Sequence, residues 1–483
     1  MKKQSIKKTC IAIGVAQALS LNTASAATIT VNNGGDTGIG CTLREAVATI
    51  NESSNQSNGC IIDTSNGSLG SNDSIIFGSQ VRDINITSNA IEIEQDVSIN
   101  LAGSRVNLTG DESNRLVDID NGANVLIDNI KLSNGGGVST GGGILISNTS
   151  SLTLNNSEVS DNSTSGGSGT GAGIAVRRTS TLIVNNTTIS NNYAIDTGGG
   201  VSVSTNSLAT INNSTITGNS GDQGGGLFVV SNSSMTVNNS TISGNDALEA
   251  EGSGGGVFIG FGGEATFNNS TISSNDAAQG GGLYVGLSSI RNVLTLNNST
   301  VTANVDFNNP FSSRARGAGI YVRTNAIVYI NNSIVAGNYS NGDFIERGIE
   351  ISSISDQSII TSGINLFGNS RLTSQEAFEG ITLNSNDIIA TSDGNTPTAL
   401  SNILAPLADN GGLTQTHALV ADSPALDAAS NSICAASPIN NRDQRGEIRP
   451  SGAACDIGSF EIVDPTSFFV VPLPNGRSVI FGL

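Results

Sequence analysis

Two short phrases alternate along the middle of this chain, and their spacing constrains its fold more than any other feature. One is rich in glycine: GGGILIS (141–147), GAGIAVR (171–177), GGGVSVS (198–204), GGGLFVV (224–230), GGGVFIG (254–260), GGGLYVG (280–286) and GAGIYVR (317–323). The other opens with asparagine, at Asn155, Asn185, Asn212, Asn238, Asn268, Asn297 and Asn331, and reads NNSTISGND in the copy from Asn238. Successive glycine phrases are 30, 27, 26, 30, 26 and 37 residues apart, with one asparagine phrase in each interval. Repeats of that length mark a solenoid, in which each unit buries its apolar face only against its neighbours.

Within a unit the alternation is that of strands. In GGGLFVVSNSSMTVNNSTISGND, Leu227 and Val229 fall on one face and Phe228 on the other; Met235 and Val237 repeat the pattern after a Ser/Asn turn, and Ile242 begins a third short segment. Two or three strands per unit predict an all-β chain coiled as a parallel β-helix. Stacked coils place equivalent residues one strand spacing apart, about 4.8 Å. The asparagine columns are therefore read as side-chain ladders running up the stack. The glycine triplets supply positive φ and close backbone approach at each new strand.

Composition fits many thin layers better than one deep core: 13% of residues are charged, 4% are aromatic, there is no Trp, and Gly contributes 59 of 483. The first residues, MKKQSIKKTCIAIGVAQALSLNTASA, have a basic start, an apolar stretch from Cys10 to Leu21 and small residues at Ala24–Ala26, which reads as an export signal cut after Ala26. Removing its four lysines takes the formal charge from −19 to −23, which argues against nucleic acid or anionic lipid as a partner. Four cysteines remain, Cys41, Cys60, Cys434 and Cys455. An even count in an exported chain points to disulfides, most simply between sequence neighbours, with three pairings open.

The ends carry a resemblance. CTLREAVATIN (41–51) has a capping box at Thr42 and Glu45 and one apolar helical face, and resembles the Cys-Ser-Leu-Arg-Glu-Ala motif near the start of exported bacterial β-helix proteins. NVLIDNIKLSNGGG (124–137) and INLFGN (364–369) look like coils of polymorphic outer-membrane-type proteins. LAPLADNGGLTQTHALVADSPALDAA (404–429) with NRDQRGEIRPSGAACDIGSFE (441–461) matches the ending of choice-of-anchor Q proteins. The resemblance implies a right-handed β-helix, secreted or on the outer surface of a bacterium, with a capping helix at one end and a cap at the other. The layout is then a signal at 1–26, an N-terminal cap at 27–72, β-helix repeats at 73–400, a choice-of-anchor-like cap at 401–463 and a tail at 464–483. That tail, SFFVVPLPNGRSVIFGL from Ser467, reads as a hairpin turning at Asn475-Gly476. The family is defined by architecture, so adhesin-like binding of a surface glycan or envelope component by a monomer is the expectation, with no cofactor required and weak Ca²⁺ binding at the turn aspartates compatible with it.

The enzymatic alternative is a pectate-lyase-like polysaccharide lyase, or a glycosidase. Elimination on a β-helix needs carboxylates that hold Ca²⁺ and a base; Asp222, Asp246 and Asp276 in the turns and Arg177, Arg178 and Arg323 after the glycine-phrase strands are the candidates. Phe228, Phe258, Phe261, Tyr284 and Tyr321 are the candidate sugar platforms. Lys131 is the only lysine beyond the signal, and His417 the only histidine, which is read as structural. A nucleophilic triad or a histidine-rich metal site has too few parts.

Overall fold

In the computed structural model the described residues are 26–463, apart from 54–58, 71, 101–104, 168, 249–250, 288, 308–316, 341–348 and 355–357, together with the strands at 469–472 and 478–481. The export signal expected at the N-terminus and the Asn475-Gly476 turn lie outside the described residues. Three long sheets run the length of the molecule, with 13, 12 and 11 strands, and are parallel apart from one antiparallel pair at the start. One coil shows the path: Leu227–Val229 lies in the 11-stranded sheet, Ser234–Asn238 in the 13-stranded sheet and Thr241–Ser243 in the 12-stranded sheet. Asp246–Ala247 then joins a five-stranded sheet, and Val257–Ile259 returns to the 11-stranded one, one layer on. This is a parallel β-helix.

Period-two patterning explains which side chains fill it. Leu227, Val229, Met235, Val237 and Ile242 point inward and are at most 1% exposed, and their equivalents in the neighbouring coils are buried too. The repeats stay in register, Asn155 against Asn185 and Asn185 against Asn212, so identical positions stack instead of drifting. A one-residue slip would turn every apolar side chain outward.

The N-terminal end is covered by one helix, Leu43–Asn51. Its capping box is formed, with Glu45 N–H donating to the Thr42 hydroxyl and Thr42 N–H to the Glu45 carboxylate. Leu43, Ala46, Val47 and Ile50 pack down on the first coils. Arg44 binds Asp36 at 2.7 Å and donates to the carbonyls of Asn89 and Ala90, tying the helix to the edge of the 11-stranded sheet. Cys41 is bonded to Cys60 and Cys434 to Cys455, the two local pairings.

The C-terminal segment departs from the expected end cap. Residues 404–461 turn back along the outside of the 12-stranded sheet. Thr241 donates to Gln415 O at 2.6 Å, Thr271 donates to Gln444 Oε1 at 2.7 Å, and Ser459 N donates to Thr300 Oγ1 at 3.1 Å. Asn332 donates to Ser430 O, and Ile334, Leu366, Ile403, Leu419, Cys434 and Ile457 form an apolar cluster beneath this strap. The physical reason is that the outer face of these coils offers a column of threonines that the strap's polar atoms can pair with. The last turns before it, at Ser374–Ala377, Phe378–Glu379 and Ile388–Ile389, close the end of the stack. The strands Phe469–Pro472 and Ser478–Phe481 pair only with each other among the described residues.

Candidate functional site

The asparagine column resolves into two ladders. Asn185 donates from Nδ2 to Asn155 Oδ1, and Asn212, Asn238, Asn268, Asn297 and Asn331 repeat the bond, each at 2.8 Å to the coil before. A second ladder stands seven residues further on in every copy. Asn162, Asn192, Asn219, Asn245, Asn275, Asn304 and Asn338 are at most 2% exposed, and each donates towards the next coil at 2.7–2.9 Å. Each of these amides also accepts a backbone N–H and donates to a backbone carbonyl, as Asn245 does with Asn219 N and Ile216 O. The sequence holds this second row plainly, at a constant offset of seven, but in the turn phrase it reads as loop chemistry.

The second ladder ends on Glu350, fully buried. Its carboxylate accepts from Gly337 N, Asn338 N, Asn338 Nδ2 and Asn369 Nδ2, and burial pushes its pKa up to about 7. The amide N–H groups all point towards Glu350, so an anion closes the donor end of an aligned row. The second Asn of each phrase has a different task. Asn239, Asn269 and Asn332 adopt φ of 50°, 46° and 47°, and Asn269 and Asn332 hold strap carbonyls.

The candidate catalytic residues are not brought together. Arg177 and Arg323 occupy the same position after their strands in the 11-stranded sheet, but five coils apart, about 24 Å at one strand spacing per coil. Arg178 is exposed, and Arg323 donates to Tyr284 Oη at 3.1 Å. Asp246 and Asp276 stand directly opposite one another in the five-stranded sheet, whose strands precede the glycine turns. The matching position in the coil before is Ser220, so Asp222 is outside this row. Burial, then the neighbouring Asp246 and Asp306, push the Asp276 pKa up to about 6. Among the described residues no group of three or more His, Cys, Asp and Glu is placed to hold a metal.

The aromatic platforms are also not free. Phe228, Phe258 and Tyr284 stack on one another along the coil axis at 5.1 and 4.9 Å, and Tyr321 meets Tyr284 edge-on at 5.6 Å. All four are at most 8% exposed, because in-register coils put their ring faces against each other; Phe261 alone of the five is exposed. His417 belongs to the strap and is buried between it and the coils, with Ser273 Oγ 2.8 Å from Nε2 and Ala405 O 2.7 Å from Nδ1. The carbonyl can only accept, so Nδ1 carries the proton and Nε2 accepts from Ser273.

One charged cluster escaped the sequence reading. On the outer face of the 11-stranded sheet Arg115 pairs with Asp118 and donates to the carbonyls of Thr140 and Gly141. Asp118 lies in register with Leu145 and Ala175, and Arg177 follows two residues after Ala175. Burial raises the Asp118 pKa and lowers that of Arg177. Asp118 belongs to a coil that precedes the first glycine phrase, so no motif marks it.

With the geometry in place, residues 70–242 match the family described as the right handed beta helix region. Among solved structures the chain is similar to the crystal structure of the pectate lyase Pel9A, with a TM-score of 0.49 and 11% identity, covering 90% of this chain and 96% of that one. No curated protein matches it. Among the described residues no helix is long and apolar enough to cross a membrane.

Proposed function

We propose that this chain is an exported, non-catalytic β-helical rod that binds at the cell envelope through its outer sheet faces, in the manner of an adhesin. The observation that carries the reading is the dispersal of the residues that the sequence nominates for elimination chemistry. A proton abstraction α to a carboxylate needs its base and its metal-held carboxylates within a few ångströms of one substrate atom. Here Arg177 and Arg323 are coils apart, and Asp246 and Asp276 belong to another sheet. The ladders, by contrast, give every coil the same rigid frame, which suits the display of extended faces. The two disulfides agree with export. Ca²⁺ at Asp246 and Asp276 would act as a structural ion.

The test is retention. Labelled protein of residues 27–483 is incubated with whole bacterial cells and with isolated envelopes. Saturable retention, displaced by unlabelled protein, is the expected result. Retention no higher than that of an inert protein of similar charge contradicts the reading.

A further inference from the structure

We propose that Asp118 and Arg177 form a binding subsite for a neutral sugar, gripping a pair of its hydroxyl groups. This rests on the reading of the chain as a glycan-binding rod and assigns that binding a place. Asp118 uses one oxygen to hold Arg115; the other, Oδ1, is buried with no hydrogen-bond partner. Arg177 Nε is likewise buried and unpartnered. A buried group of this kind needs an explanation, since leaving it unpaired forfeits the hydrogen bonds it made with water. Two of them, of opposite charge, share one sheet face: Asp118 stands opposite Leu145, which stands opposite Ala175, and Arg177 comes two residues after Ala175.

A hydroxyl group is both donor and acceptor. It can donate to a carboxylate and accept from a guanidinium, so adjacent hydroxyls of a sugar ring meet the Asp118 oxygen and the Arg177 N–H together. Arg115 acts as a positioning residue: its bonds to Thr140 O and Gly141 O fix the guanidinium that fixes Asp118. Charge decides against an acidic sugar. Arg115, Arg177 and Arg178 are balanced by Glu92, Asp118 and Asp120, which act on the same groups. No positive surplus is left for a uronate. The orphaned atoms are closed off in the unliganded chain, so the half-buried Arg177 side chain must turn outward to admit the ring, a rotamer change on a fast timescale.

Calorimetric titration tests this, with cellohexaose, mannohexaose and galactohexaose as neutral probes and hexagalacturonate as the acidic one. At least one neutral hexamer should bind the intact protein. Asp118→Asn and Arg177→Gln should each weaken that binding by about tenfold or more, a step of one decade in Kd. Arg291→Gln, at an exposed arginine outside the cluster, should leave it unchanged, and Arg177→Lys should fail to restore it because the Nε donor is gone. Melting temperatures equal to wild type establish that the variants are folded. Binding undiminished in folded Asp118→Asn and Arg177→Gln overturns the subsite, as does binding confined to hexagalacturonate. If no neutral hexamer binds while envelope retention persists, the subsite is wrong and the rod reading stands. If retention is also absent, both fall.

Discussion

Asp276 shows at a single residue how stacking reshapes ordinary chemistry. A turn aspartate is unremarkable once, but register sets Asp246 directly opposite it and Asp306 close by, and its pKa is driven up to about 6. Above that pH the charged form opposes folding, so Asp276→Asn should stabilise the protein at pH 7.5. The gain should be on the order of 1 kcal/mol once solvent screening of this partly exposed group is allowed for. Ca²⁺ should raise the wild-type melting temperature and have less effect on this variant. An Asp276→Asn protein that melts lower than wild type at pH 7.5 would show that the carboxylate has a stabilising partner instead. The asparagines make the matching point for neutral groups. Asn245→Ala removes the acceptor for Asn219 N and Nδ2 and the donor for Asn275 Oδ1, all buried, and should cost about 2–4 kcal/mol. Asn238→Ala, in the partly exposed ladder, should cost less than half as much. Equal losses in thermal melts would contradict the division into a buried and a surface ladder.

Among the elements, the coils were legible and the strap was not. A coil repeats its own signal, and Gly-Gly-Gly followed by β-branched residues states both a turn and a strand. The N-terminal helix was legible for a similar reason, since Thr42, Glu45 and one apolar face specify it locally. The strap has local structure too, but its position depends on pairs such as Thr241 with Gln444, more than 200 residues apart, and such pairs leave no periodic trace. The Arg115, Asp118 and Arg177 cluster was hidden in the same way, because it joins residues from a coil without a glycine phrase to one that has it. The strap offers its own test. Cys434 and Cys455 close a separation of 21 residues, and replacing both with serine should cost about 3 kcal/mol in the loop-entropy model. Limited proteolysis should then cut first between residues 430 and 455, leaving the coils intact. Cleavage beginning within the glycine phrases would mean that the strap is not the first element to loosen.

The whole molecule should respond to pH in a direction set by its buried acids. Glu350 and Glu461, each pushed up to about 7 chiefly by burial, and Asp276 at about 6 bind protons more tightly folded than unfolded. Native protons then outnumber unfolded ones between about pH 4 and 7, so stability falls as pH rises through that window. His417 acts oppositely, since burial lowers its pKa and acid below about 6.5 favours the unfolded form. Three carboxyls outweigh one imidazole, so the melting temperature should be higher at pH 5.5 than at pH 8. Below about pH 4 the trend should reverse as Asp36 and Glu158 lose their charge; against their burial, Asp36 is held low by Ser88 and Arg44, and Glu158 by Lys131 and Arg105. A flat melting profile from pH 5.5 to 8 would contradict the buried-acid account.

On the proposed reading this rod binds without cutting. The most direct measurement is incubation of purified protein with polygalacturonate, alginate and envelope polysaccharide, with and without Ca²⁺, following the ultraviolet absorbance of unsaturated uronates and the appearance of reducing ends. Neither product should appear with any substrate, alongside saturable retention on envelopes. Release of unsaturated or reducing ends, abolished by changing Arg177, Arg178 or Arg323, would contradict it, because it would require the dispersed residues to act on one substrate.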